Sequence, residues 1–288
     1  MAFFKGFYVK CAGKQDTVAV IFGMAACGKD ETAFIQIVTK GNSYCEKFSG
    51  KDFFVARHGF EMRVGKNLVN EKGMTLDIQS KGLKVAGEVK FGEFDKIKYD
   101  AMGPFKLLPF MECKHTVVSM QHQISGNISL NGVSYNFDGG IGYIEGDRGK
   151  SFPKKYFWSQ VNQGDISVSA SCAVIPYLGI RFRGTICFIH SKGQKFRLAT
   201  YLGARVKEFG ESKLVVCQGR GKKMYRLEIE ALDGKVTNAR SLLAPAGGKM
   251  SRIIHESVER KVSYKFTKGT QTVFNFTSNR AAFEYSEE

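Results

Sequence analysis

The sequence predicts an all-β protein built of short antiparallel strands. Three observations point to an antiparallel sandwich or barrel. Apolar and polar residues alternate with period two in short runs, as half-buried strands require. Glycine dipeptides punctuate those runs at the roughly 8–12-residue spacing of hairpins in sandwiches and barrels. Pro is scarce (5 residues) and Gly abundant (32), which favours many tight turns over long helices.

Taken in order, the clearest strands are Thr17–Phe22, Ala33–Val38, Gly82–Phe91, Ile124–Leu130, Met224–Ala231 and Thr270–Phe276. Turns are expected at Lys40-Gly41-Asn42, Lys72-Gly73, Lys81-Gly82, Asn131-Gly132, Lys192-Gly193, Asp233-Gly234 and Lys268-Gly269, where glycine supplies positive φ. One short helix is expected over Ser251–Glu259. The segment Met102–Cys113 carries two prolines in an apolar run, so it is no central strand. It is expected to cover a barrel mouth or to cross between domains. Ser151-Phe-Pro153 is a second break. The boundary is therefore drawn near residue 150, giving an N-terminal barrel over 1–150 and a C-terminal barrel over 151–288. About twelve strands precede that boundary and about nine follow it.

The chain has 288 residues, 43% of them hydrophobic and 24 of them Phe, which is ample for buried cores. The net charge of +16 permits contact with an anionic partner. The basic residues are spread out, however, mostly alternating with apolar ones, and read as a solvated face; no nucleic-acid partner is expected. Seven cysteines without a Cys-x-x-Cys pair read as reduced thiols. The opening Met1-Ala-Phe-Phe-Lys-Gly6 lacks the apolar core of a signal peptide. No apolar run reaches the length of a membrane span. A cytoplasmic location with no transmembrane segment follows as the expectation, and peripheral membrane contact stays open. The oligomeric state is not specified.

Gly23-Met-Ala-Ala-Cys-Gly-Lys-Asp30 nearly spells a phosphate-binding loop. Asp30 replaces the Mg²⁺-binding hydroxyl, and a strand follows in place of a helix, so a turn between strands is expected. Cys113-x-His115 and His122 lack the second close pair that a zinc site takes, and no metal ligands are assigned. His115 and His122 lie in an unusually polar segment and are ligand-side candidates, since imidazole transfers protons near neutrality. No nucleophile elbow or catalytic-cysteine signature appears. The densest stretch is Gly139–Asn162, which holds glycines, charges and the single tryptophan, Trp158. Within it, Glu145 and Asp147 stand two apart and face one side of a strand. Such a pair disfavours joint ionisation, while Arg148, Lys154 and Lys155 favour the charged forms. An acid centre and a structural ion-pair network both fit these residues.

The run Tyr143-Ile-Glu145-Gly-Asp147-Arg148-Gly149-Lys-Ser-Phe152-Pro153-Lys-Lys155-Tyr156-Phe157-Trp158-Ser-Gln160-Val-Asn162 resembles the signature of the tocopherol cyclase family. Phe3-Phe-Lys-Gly6-Phe7-Tyr8-Val-Lys10 resembles that family's opening block, and Ala33-Phe-Ile-Gln36 adds a third. The chain looks most similar to the short bacterial tocopherol cyclase-like proteins. The resemblance implies the paired lipocalin-like barrels of the related carotenoid hydratase and attachment-lipocalin families. It also implies a ligand in a barrel or interdomain cavity. The plant enzymes close the chromanol ring of a prenylated quinol without a redox cofactor, so no cofactor is expected.

By this resemblance the leading expectation is a cyclase-like or hydratase-like enzyme acting on a prenylated or terpenoid small molecule. Glu145 or Asp147 would be the acid. Tyr143, Tyr156 and Trp158 would form aromatic walls, with Tyr8, Gln160, His115 and His122 as further ligand contacts. Asp147-Arg148 replaces the family's Asn-Trp, which implies a more polar or anionic ligand wherever Arg148 faces it. The alternative is a non-catalytic carrier of a small apolar or amphipathic ligand, and catalysis itself stays undecided. An enzyme needs a carboxylic acid at the ligand; a carrier needs only apolar walls.

Overall fold

The structure is a computed structural model that describes residues 2–108, 111–177, 179–233 and 239–287. Two compact units emerge. The first comprises residues through Lys98, Glu112–Phe152 and Leu242–Ile253; the second comprises 99–111, Pro153–Ser241 and 254 onward.

The first unit is a continuous antiparallel sheet. Its strands are β1 (Ala2–Ala12), β2 (Thr17–Cys27), β3 (Asp30–Thr39), β4 (Ser43–Ser49), β5 (Phe53–Val55), β6 (Glu61–Val64), β7 (Asn67–Asn70), β8 (Gly73–Gln79), β9 (Lys84–Phe91), β10 (Cys113–Leu130), β11 (Val133–Asn136) and β12 (Gly140–Gly149). Their spatial order is β4-β3-β2-β1-β12-β10-β9-β8-β7-β6-β5, with β11 beside β10. Alternate residues of most strands meet in one core. Val9, Val20, Phe22, Ile35, Met62, Leu76, Val89 and Ile144 are all buried there. A sheet whose strands all present one apolar face to a common centre has curled into a barrel.

The second sheet repeats the plan, although its residues Leu242–Ile253 belong to the first unit. Its strands are β13 (Lys155–Gln163), β14 (Ile166–Tyr177), β15 (Ile180–Ser191), β16 (Gln194–Ala199), β17 (Arg205–Phe209), β18 (Lys213–Gln218), β19 (Tyr225–Ala231), β20 (Arg240–Ala246), β21 (Lys249–Lys268) and β22 (Gln271–Glu287). Their order is β16-β15-β14-β13-β22-β21-β19-β18-β17, with β20 beside β21. Strand for strand this matches the first sheet, which extends it by β6 and β5. Phe157, Val168, Ile189, Val216, Tyr264 and Phe283 fill its core. Both units are therefore lipocalin-like antiparallel barrels.

Turn chemistry matches the sequence where glycine is needed. Asn131 and Gly132 both have positive φ (50° and 85°), the paired left-handed geometry of a type I′ hairpin. The phosphate-loop look-alike is a hairpin turn between β2 and β3. Ser251–Glu259 is not a helix but part of β21, the longest strand. The proline-rich segment forms a 3-10 turn over Gly103–Leu107 and belongs to the second unit. Pro109, Phe110 and the expected turn glycine Gly234 lie outside the described residues.

Phe22 is fully buried in the first core. Phe22→Ala is expected to lower the unfolding free energy by about 3–5 kcal/mol. Urea titration read by far-UV circular dichroism checks this; the midpoint should fall with the slope unchanged.

Candidate functional site

Strand β12 sits between β1 and β10, so each of its residues has a neighbour on both sides. Alternation splits it into two faces. Ile144 enters the first core, whereas Tyr143, Glu145 and Asp147 point to the opposite face. Tyr143 and Glu145 are buried even so. Register sets their neighbours: Tyr8 stands across from Glu145 and Lys10 from Tyr143 on β1, while His115 stands across from Asp147 on β10.

These side chains converge. Tyr143 Oη donates to Glu145 Oε2 at 2.5 Å. His115 Nδ1 lies 3.0 Å from Asp147 Oδ1, and its Nε2 lies 3.7 Å from Glu145 Oε2. Cys113 Sγ donates to the same Asp147 oxygen at 3.5 Å. Burial alone lowers the His115 pKa, but the charges of Asp147 and Glu145 and the hydrogen bond to Asp147 raise it to about 9. The imidazole is thus a cation at neutral pH, clamped between two carboxylates. Burial first, and then the Asp147 charge, pushes the Cys113 thiol well above its usual range, so it stays a thiol.

The donor atoms of His115, Glu145 and Asp147 all lie within 4.8 Å of one another. A cation gathering them would have to displace the proton held between His115 Nδ1 and Asp147 Oδ1. They number one fewer than the four ligands of a closed structural zinc site.

Arg148 is exposed on the other face of β12, across from Lys5. His122 also lies on the core side. Its Nδ1 meets Ser119 Oγ at 3.0 Å, and its ring packs between Phe91 and Phe94 with centroids 4.9 and 4.8 Å away. Gly142 makes room for it, because a Cβ there would fall 2.3 Å from His122 Nε2. Burial lowers the His122 pKa to about 4.

Tyr156, Trp158 and Gln160 belong to the second unit. They share the face of β13 opposite Phe157, and all three are buried. Tyr156 Oη donates to Glu284, and Gln160 Nε2 donates to Asn162 Oδ1 at 2.7 Å. Glu284 pairs in register with Trp158 on one side and with buried Glu256 on the other. A correspondence emerges between the units. Lys5-Gly-Phe7-Tyr8-Val-Lys10 opens the first barrel and Lys155-Tyr-Phe157-Trp158-Ser-Gln160 the second. Tyr8 faces Glu145 as Trp158 faces Glu284. Each glutamate accepts a tyrosine hydroxyl. Sequence reasoning missed Lys10, Cys113, Glu256 and Glu284. Lys10 and Cys113 stood in motifs already quoted; the two glutamates are visible only through strand register.

A cavity of about 700 Å³ opens elsewhere in the first unit, beside β4, β5 and β8. Glu46, Phe48, Lys51, Phe54, Arg63 and Asp77 line it, and none of the residues singled out from sequence does.

The two histidines make opposite pH predictions. His115 is raised from 6.5 to about 9, so the folded state holds a proton that the unfolded chain releases first. Its stabilisation is complete below about pH 6.5 and is lost as pH rises through about 9, on the order of 3 kcal/mol. His122 is lowered to about 4, so its neutral buried form costs stability as pH falls from about 6.5 toward 4. Urea midpoints measured across this range should peak between the two limbs. His115→Gln should flatten the alkaline limb and His122→Gln the acid one. An alkaline limb that survives in His115→Gln refutes the assignment.

No curated protein sequence matches the chain. Among solved structures, CghA matches over 100% of this chain and 88% of that one, with 8% identity and a TM-score of 0.62. CghA with Sch210972 matches over 100% and 89%, with 8% identity and a TM-score of 0.61. Kievitone hydratase from Nectria haematococca matches over 99% and 89%, with 10% identity and a TM-score of 0.53. At such identities the likeness is one of fold. The tocopherol cyclase-like family profile matches residues 58–286, four-fifths of the chain and both barrels. The chain therefore belongs to the tocopherol cyclase-like family.

Proposed function

We propose that the protein catalyses a proton-initiated cyclisation or hydration of a prenylated or terpenoid small molecule, with Glu145 as the acid. The observation that carries this reading is the His115 imidazolium held between Asp147 and Glu145, with Tyr143 donating to Glu145. Asp147 neutralises and orients His115. Glu145, a carboxylate at rest, takes the proton of His115 Nε2, 3.7 Å away, and delivers it to the less substituted carbon of a trisubstituted alkene. The carboxylate is thereby restored beside the tyrosine hydroxyl at 2.5 Å. Charge that develops in the transition state thus finds preset partners. The tertiary carbocation is captured by a phenol oxygen or by water, and the proton lost from that oxygen returns through Glu145 to His115. The sequence is redox-neutral, so its balance needs no cofactor. Family membership and a structural neighbour named as a hydratase support the reaction class. Tyr8, across the strand from Glu145, is proposed as an aromatic wall beside Tyr143. Tyr156, Trp158 and Gln160, on one face of β13, are proposed as ligand contacts of the second barrel. Arg148 and His122, facing away from Glu145, are assigned supporting roles.

A second reading, a non-catalytic carrier, draws on the separate cavity beside β4 and β8. Incubation with prenylated hydroquinones, followed by mass spectrometry, separates the two. Cyclisation gives an isomer and hydration a product heavier by one water. Glu145→Gln is expected to cut turnover by about 10²–10⁴-fold with little loss of binding. Tyr143→Phe and His115→Gln should each lower kcat more than they raise KM. Binding without conversion, unchanged by Glu145→Gln, favours the carrier.

A further inference from the structure

Large apolar side chains that stand exposed are mostly scattered singly over this protein, as on most surfaces. Four of them are not. Tyr99, Leu107, Ile180 and Leu202 are 58%, 78%, 63% and 44% exposed, and all belong to the second unit. Contacts beneath them tie their segments together. Tyr201, next to Leu202 in the 3-10 turn Thr200–Leu202, donates its hydroxyl to the Ala101 carbonyl at 2.9 Å. Its ring lies 5.6 Å from that of Phe105, in the 3-10 turn that ends at Leu107. Phe105 lies 6.1 Å from Phe182, two residues beyond Ile180 at the start of β15. Gly103 has φ 52°, and a Cβ there would strike the Tyr201 ring at 2.6 Å, so the two turns meet closely.

The same segments are basic. Residues 99–107, 180–183 and 197–205 contain Lys106, Arg181, Arg183, Arg197 and Arg205 against a single acid, Asp100. Arg197 lies over the rings of Tyr99 and Tyr201 at 5.0 and 5.6 Å. Apolar tips on turns, aromatic rings and a cationic surround form the pattern that seats a protein in the headgroup region of a bilayer. Nucleic acid would use the cations but leave Leu107, Ile180 and Leu202 in water.

We propose that this patch docks the protein on an anionic lipid surface, with Leu107, Ile180 and Leu202 entering the headgroup–acyl boundary. The cations bring the protein to the surface, and the apolar tips hold it there. The proposal is independent of the chemistry assigned to Glu145.

Co-sedimentation tests it, with vesicles of phosphatidylcholine containing phosphatidylglycerol and vesicles of phosphatidylcholine alone. The protein should pellet with the anionic vesicles and far less with the neutral ones. The combined Leu107→Asp, Ile180→Asp and Leu202→Asp variant should bind roughly a hundredfold more weakly. Arg181→Ala with Arg183→Ala should lose about tenfold. Val133→Asp, at an exposed apolar site of the first unit, should bind as the parent does. All these sites are exposed, and circular dichroism verifies that each variant is folded. Failure to pellet with anionic vesicles, or equal pelleting of the triple aspartate variant, overturns the proposal. So does binding to the anionic vesicles that added salt leaves unchanged, since the cations' share is screened.

Discussion

A buried carboxylate must be met by a cation or by hydrogen-bond donors, or its charge is too costly to hold. Much of the first barrel's architecture serves that requirement at Glu145. Strand β12 occupies the centre of its sheet, which brings β1 to one side of Glu145 and β10 to the other. The hydroxyl comes from Tyr143 two residues away, and the imidazolium comes from β10. Asp147 then supplies the countercharge that keeps the imidazole protonated. Moving β12 by one residue would turn all three acidic and phenolic side chains into the core and expel Ile144. Packing on one face and chemistry on the other are therefore fixed by a single register.

Much of this was legible in the sequence. Alternation located the strands, and Asn131-Gly132 marked a hairpin of the expected hand. The spacing of Glu145 and Asp147 placed them on one face. What could not be read was the partner strand. His115 and His122 are an odd number apart on β10, and the strand bulges twice between Val117 and His122. The two imidazoles end on opposite faces with pKa values driven apart, although the sequence offers them as equivalents. The supposed helix at Ser251–Glu259 failed for a related reason. Arg252, Glu256 and Arg260 recur every four residues, like a helical stripe. They are buried positions of a long strand whose register shifts near Ser257 and Arg260.

The two barrels share a strand order and a local arrangement at β1 and β13, yet carry different chemistry there. The first combines Glu145 with His115 and Asp147. The second sets Glu284 against Glu256. The common element is an aromatic residue across from a glutamate that accepts a tyrosine hydroxyl. That element follows from the fold plan, since it recurs in both sheets. Among the described residues the imidazolium clamp stands at Glu145 of the first barrel.

The single tryptophan has an optical consequence. Trp158 is buried on β13, in the second unit alone, next to Tyr156 and across from Glu284. Its emission is a one-site gauge of that barrel, while the first barrel contributes only tyrosine and phenylalanine. A melt followed at tryptophan wavelengths therefore watches one half of the molecule. A far-UV signal watches both, and any gap between the two traces measures how independently the barrels come apart.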